Sequence, residues 1–233
     1  MVLDTQGSFS VETALTLHQH ASVRLVQVLG AQDGALLYAR TDADCAPGAG
    51  VDMTQILMGQ GDLYSDNDTE LVGDGSRYSA QIGYLGRGSQ TIDVNVVVNH
   101  YGKNTACEID TSGALKDAAK KVFRGTIDFK TGSANSVGNE KETVLMLGDD
   151  VVNKTVPLIL CAEENVVATT ARPSVSSMTR RCFTLKSRHL PRSGRKHPCP
   201  RIDRALCAHG DDEALRAQIL QTLEEELNDG VSL

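Results

Sequence analysis

Short runs in which apolar and polar residues alternate recur along residues 1–160 of this chain. They include Ser8-Phe9-Ser10-Val11-Glu12, Val23-Arg24-Leu25-Val26-Gln27-Val28 and Thr91-Ile92-Asp93-Val94-Asn95-Val96. Cys107-Glu108-Ile109-Asp110 and Thr126-Ile127-Asp128-Phe129 continue the series. A period of two puts alternate side chains on one face of a strand, so each run predicts a strand with one face to bury. Turn signals separate the runs: Gln32-Asp33-Gly34, Asp74-Gly75-Ser76, Gly86-Arg87-Gly88-Ser89 and Gly148-Asp149-Asp150. No helical pattern intervenes, which excludes a doubly wound α/β sheet. A sandwich, a barrel or a β-solenoid remains, and without a strict sequence repeat the period does not choose among them.

The chain has 233 residues, 40% of them hydrophobic, enough to bury a real core. No apolar run reaches the roughly 18 residues of a membrane-spanning helix. Met1-Val2-Leu3-Asp4 has neither the basic nor the apolar region of a signal peptide. A cytosolic protein is expected, in which the sequons at Asn67 and Asn153 carry no sugar. In that compartment the six cysteines, none in a CxxC pair, read as reduced thiols. Trp is absent and aromatic residues are 4%, which argues against a stacking platform for single-stranded nucleic acid.

The charge is uneven. Residues 168–204 hold ten Lys and Arg against Asp203 alone, so with a net charge of −7 the remainder of the chain carries −16. Four of the six prolines (Pro173, Pro191, Pro198, Pro200) fall in the same window. Such a break marks a boundary. Beyond it, residues 211–229 read as an amphipathic helix. Asp211 and Asp212 suit its N-terminus, Gly230 suits its C-terminal cap, and Leu215, Ile219, Leu220, Leu223 and Leu227 form one apolar stripe.

Several residues invite a chemical role. Cys182, His189, His197 and Cys199 are zinc-ligand types, but their spacing matches no zinc finger. The basic run suggests phosphate neutralisation, against a disordered solvated segment favoured by its prolines. Gly83-Tyr84-Leu85-Gly86-Arg87-Gly88 lacks the Lys-Ser/Thr of a phosphate loop and reads as a tight turn. Cys161 follows Leu158-Ile159-Leu160, where a buried structural thiol is the default reading and iron or sulfide handling the functional one. His100 is a second candidate for metal or cluster handling, against a satisfied histidine at a strand end. Glu163 and Glu164 read as a solvated turn. No Ser/His/Asp or Cys/His constellation makes a catalytic case, so no enzyme is expected.

Five stretches in order carry a family resemblance. They are Gly73–Gly88 (GDGSRYSAQIGYLGRG), Asn99-His100-Tyr101-Gly102-Lys103-Asn104-Thr105 and Arg124-Gly125-Thr126-Ile127-Asp128-Phe129. Val137-Gly138-Asn139-Glu140-Lys141-Glu142 and Pro157-Leu158-Ile159-Leu160-Cys161-Ala162-Glu163-Glu164 follow. Together they resemble the SufB/SufD family of iron–sulfur cluster assembly scaffolds. The likeness covers residues 8–167 and resumes near Arg201.

The resemblance breaks after Glu164. The family continues with a motif of the form (S/N)-H-G-A and an acidic helix, whereas this chain reads Val167-Ala168-Thr169-Thr170-Ala171-Arg172-Pro173. Re-read one base out of step, residues 167–186 allow G-N-H-G-A and L-F-Y-L in the family's order. Met178 and Thr179 force an aspartate codon there, and Phe183 with Thr184 allows tyrosine. Residues 168–200 are therefore expected to be an out-of-frame translation of a family segment, which removes the motif histidine from the encoded chain. A gene with an uninterrupted frame over 168–200 would overturn this.

The resemblance implies a right-handed parallel β-helix over residues 1–164 and a small helical region over 165–233. It implies a non-catalytic, SufD-like scaffold that pairs with a second β-helix subunit, as hetero- or homodimer. Its C-terminal helical stripe would dock a SufC-type ABC ATPase. No resident cofactor is implied, and an iron–sulfur cluster would be transient cargo. The chain begins within the β-helix, so the family's N-terminal region is expected to be missing from it. A β-solenoid binding module unrelated to clusters, or a nucleic-acid-binding protein with a basic arm, is the alternative. No membrane partner is expected.

Overall fold

A computed structural model describes residues 7–171 in full and the backbone alone at 2–3 and 174–176. The described residues form fourteen strands and no helix. In chain order they are β1 (Val2–Leu3), β2 (Gly7–Leu17), β3 (Ser22–Ala31), β4 (Ala35–Cys45), β5 (Gly50–Gly59), β6 (Asp62–Leu71) and β7 (Arg77–Gly86). Then come β8 (Thr91–His100), β9 (Ala106–Lys116), β10 (Lys120–Phe129), β11 (Val137–Leu147), β12 (Val152–Cys161), β13 (Val167–Ala171) and β14 (Ser174–Ser176).

Successive strands alternate between two sheets. One runs β1-β3-β5-β7-β9-β11-β13, with β14 also beside β11; the other runs β2-β4-β6-β8-β10-β12. Every pairing is parallel, for example Gly7 beside Ala35 and Val137 beside Val167. The register advances by 26 residues from Leu36 to Asp62 and by 32 from Lys121 to Asn153. Parallel neighbours one full turn apart in sequence define a β-solenoid, so among the three expected architectures the solenoid is the one formed. The C-terminal helix expected over 211–229, and all of 168–200 beyond Ala171 except the backbone at Ser174–Ser176, lie outside the described residues.

The alternation read from the sequence is the wall of this solenoid. In β6 and β8 every second residue is buried: Leu63, Ser65, Asn67, Thr69 and Leu71, then Ile92, Val94, Val96, Val98 and His100. Parallel pairing stacks these inward residues into columns, since each strand repeats its neighbour's phase. One column is Leu17, Cys45, Leu71, His100, Phe129 and Cys161. Burying such columns on both sheets makes one continuous core.

The corners explain why the turns hold despite differing sequences. At one corner His20, Gly48, Gly75, Asn104 and Asn135 all have left-handed φ, between 55° and 72°. Gly supplies that conformation freely, and Asn and His tolerate it better than bulky residues do. Each of these residues donates its backbone N–H to a carbonyl one rung on: His20 to Pro47, Gly48 to Asp74, Gly75 to Lys103, Asn104 to Ala134 and Asn135 to Asn165. The residue that follows turns inward, and Ala49, Ser76, Thr105 and Ser136 are buried there. The repeat is thus conformational, one left-handed residue then one small residue.

The stretch Gly83–Gly88 departs from the tight turn expected of it. Gly83 and Gly86 lie within β7, and only Gly88, with φ 58°, sits in a turn. The glycines in the strand make room for neighbours: a Cβ on Gly86 would stand 2.8 Å from the Leu115 side chain.

Candidate functional site

Among the described residues the last rung of the solenoid is formed by β12 and β13, with β14 beside β11. Among the described residues β12 pairs only with β10, so the backbone groups along its other edge face outward unpaired. Its side chains are unusually apolar for that position: outward-facing Val156, Leu158 and Leu160 are 54%, 45% and 43% exposed. Inward-facing Ile159 is 39% exposed, whereas Ile127 and Val98, beneath it in the same column, are fully buried. Val167 in β13 is exposed too. An open strand edge flanked by apolar side chains is a surface suited to pairing with another strand.

Cys161 terminates β12 at this end. It is exposed, not buried as the apolar run before it suggests, because it lies on the last described rung of the sheet. Its thiol donates to the Glu163 carbonyl at 3.0 Å. Glu163 is tied back to the rung below, its carboxylate accepting from the Gly132 N–H at 2.9 Å. Cys45 and Cys107 are different: burial raises their thiols to about 11 and about 12, so both stay protonated and unreactive at neutral pH.

His100 lies in the same column as Cys161 but two rungs away, roughly 10 Å at the spacing of parallel strands. Phe129 intervenes, its ring stacked on the imidazole with centroids 4.6 Å apart. His100 Nδ1 shares a 2.7 Å hydrogen bond with Thr105 Oγ1, while Nε2 is buried without a partner. Burial lowers its pKa to about 4, opposed by the charge of Asp128, so the ring is neutral near pH 7. The fold therefore does not bring Cys161 and His100 together. No group of three or more His, Cys, Asp or Glu able to hold a metal ion occurs among the described residues. A cluster held at Cys161 would need further ligands from elsewhere. Leu215, Ile219, Leu220, Leu223 and Leu227, like the Cys182/His189/His197/Cys199 set, lie outside the described residues.

Sequence reasoning missed a charged group inside the lumen below this end. Lys121 on β10 and Glu142 on β11, 0% and 1% exposed, form an ion pair. Glu142 also accepts from Thr155 on β12 and from the Tyr84 hydroxyl, the latter at 3.4 Å. Lys121 Nζ lies 5.6 Å from the ring centroids of both Tyr84 and Phe123. Glu140, 4% exposed, lies against Gly125, and its Oε2 has no hydrogen-bond partner. Burial first, and the neighbouring Glu142 second, raise the Glu140 carboxyl to about 7. The signal available in the sequence was phase: Lys121, Glu140 and Glu142 occupy positions where the alternation demands an inward side chain.

A groove of about 430 Å³ crosses the outside of the first sheet, with His20, Asp52, Arg77, Cys107 and Glu108 among its walls. Its only thiol is the protonated Cys107. Among the described residues no helix is long and apolar enough to cross a membrane.

Two comparisons bear on this geometry. The family described as "SUF system FeS cluster assembly, SufBD core domain" matches residues 4–193. The iron–sulfur cluster assembly protein SufD of Bacillus subtilis (strain 168) is 27% identical over 185 residues, covering 79% of this chain and 42% of that protein. The chain thus spans less than half the length of the curated relative it matches.

Proposed function

Because the chain belongs to the SufBD core-domain family of the SUF system, we propose that it serves iron–sulfur cluster assembly as a SufD-like, non-catalytic scaffold. In this reading it pairs with a second β-helix subunit and works with a SufC-type ABC ATPase. ATP hydrolysis belongs to that partner, because this sequence holds no phosphate-binding P-loop. The cluster is cargo: it is built or passed at the subunit junction and does not reside in the lumen.

The observation that carries the reading is the open end. Among the described residues β12 has one unpaired edge, with Val156, Leu158 and Leu160 exposed, and such an edge is what strand-to-strand pairing between solenoids requires. Cys161 sits at the rim of that surface, where an exposed thiol can join ligands supplied by a partner.

The test is co-expression of the full chain with a SufB-type subunit and the ATPase, followed by size-exclusion chromatography with light scattering. The unaltered chain should enter a complex with both. Val156→Lys with Leu158→Lys should abolish pairing with the β-helix subunit and leave the strand circular dichroism unchanged. Undiminished pairing in that variant, or no complex with either partner, would overturn the proposal.

A further inference from the structure

The first sheet carries a second apolar surface on its outer side, away from the core. Ile56, Leu85 and Ala114 form a cluster separate from the lumen, with Val28, Met58, Leu145 and Leu147 packed against it. Their outward direction follows from alternation: Leu57 and Tyr84, next to Ile56 and Leu85, belong to the core. Yet Ile56 is 2%, Leu85 6% and Ala114 4% exposed. On the same side, Thr54 Oγ1, Gln81 Oε1 and Asp110 Oδ1 are buried without hydrogen-bond partners. The outward residues of a solvated sheet do not show such burial. This is a face built to be covered.

We propose that residues 211–229 of the same chain cover it, laying the stripe of Leu215, Ile219, Leu220, Leu223 and Leu227 across the strands. Three observations select this occupant. The last described backbone, Ser174–Ser176, pairs with Val144–Met146, so the chain leaves the ladder beside Leu145 and Leu147, at the edge of the patch. Residues 177–233 follow, ample chain to return over it. The dimensions agree as well. As a helix, the stripe from Leu215 to Leu227 is about 18 Å long. The patch, from Val28 on β3 to Leu145 on β11, crosses four strand spacings, roughly 19 Å.

The chemistry is also complementary. Arg216, one turn before Leu220, falls on the same face as the stripe and can donate to the stranded oxygens of Gln81 and Asp110. Glu225 then faces solvent and Glu224 flanks the stripe, while Glu226 lies at its edge between the Leu215 and Ile219 rows. This assigns the leucine stripe to the chain's own sheet, so an ATPase would meet the acidic side of the segment. The inference is independent of whether the protein serves cluster assembly.

The test uses the full chain at two concentrations, reading amide exchange over 211–229 and peroxide oxidation of Met58. Met53, inside the lumen and 2% exposed, is the control for global folding. We expect exchange of the segment to be slowed by about tenfold or more, equally at both concentrations. Leu220→Asp with Leu223→Asp should abolish this protection and speed Met58 oxidation severalfold, with Met53 unchanged. Ala114→Asp, on the opposing surface, should do the same. If that variant fails to fold, the segment variant decides, because it leaves the ladder intact. Unslowed exchange in the unaltered chain would overturn the proposal, as would protection that survives the segment variant. Protection that vanishes on dilution as a dimer dissociates would assign the face to a second copy, and protection arising only with an ABC-type ATPase would assign the stripe to that partner. Either outcome overturns the proposal.

Discussion

Lys121 and Glu142 form an ion pair inside the lumen, with Thr155 and Tyr84 completing the hydrogen bonds of the carboxylate. Neither side chain reaches water. A buried pair gains Coulomb energy but loses hydration, so its net contribution is small, while breaking it strands a charge. Lys121→Met should therefore destabilise the chain by about 3–5 kcal/mol. The double variant Lys121→Met with Glu142→Leu should recover most of that loss. Urea unfolding of the single and double variants checks this, and a double variant less stable than the single one would contradict it.

Glu140 makes stability depend on pH. Its folded-state carboxyl titrates near 7, above the ordinary carboxylate value, through burial and then Glu142. Lys121 is the cation on the facing strand and Cys107 the titratable group on β9, protonated throughout. Between the unfolded carboxylate pKa and about 7, the folded chain binds the extra proton. Stability should accordingly fall as pH rises through that window and level off above it. The total is on the order of 3 kcal/mol, at 1.36 kcal/mol per unit. Glu140→Gln should flatten this part of the profile, as read from chemical denaturation between pH 5 and 8 (about the range of the shift).

The three described cysteines should react in a fixed order. Cys161 is exposed, whereas Cys45 and Cys107 are buried and held as thiols. Brief treatment of the native chain with iodoacetamide should alkylate Cys161 and leave the other two intact, as mass spectrometry of peptides will show. Rapid labelling of Cys107 would mean that the first sheet opens near β9.

Gly113 is required by the ring beside it. A Cβ at this position would stand 2.3 Å from Tyr84 Cδ2 and Cε2, and Tyr84 is 2% exposed with no room to retreat. Gly113→Ala should cost about 1–3 kcal/mol. The companion change Tyr84→Leu in the same chain should recover part of it, although it also removes a donor to Glu142. Thermal unfolding of both variants measures the difference.

Much of the wall was legible residue by residue. Thr91–Val96 alternates in sequence and in burial alike, because polar residues facing out and apolar residues facing in are the cheapest way to solvate one side of a strand. Gly125 and Glu140 were legible as parts of an ordered likeness but not as a contact. They are 15 residues apart on different sheets, and only the width of the lumen sets one against the other. Cys161 was misjudged as buried because local hydrophobicity reports a strand's composition, not whether another strand lies beyond it.

The sequence by itself determined strands, turns, the family and the absence of a phosphate loop. Each of these depends on neighbours in the chain or on motif order, which a linear reading contains. Only the tertiary structure decided that the strands wind into two parallel sheets, that His100 and Cys161 stand two rungs apart, and that Lys121 meets Glu142. Those outcomes depend on register, which a rung of 26 residues and one of 32 set differently. The left-handed corner residues make that register possible, since a conformational repeat can be met by Gly, Asn or His without repeating a letter.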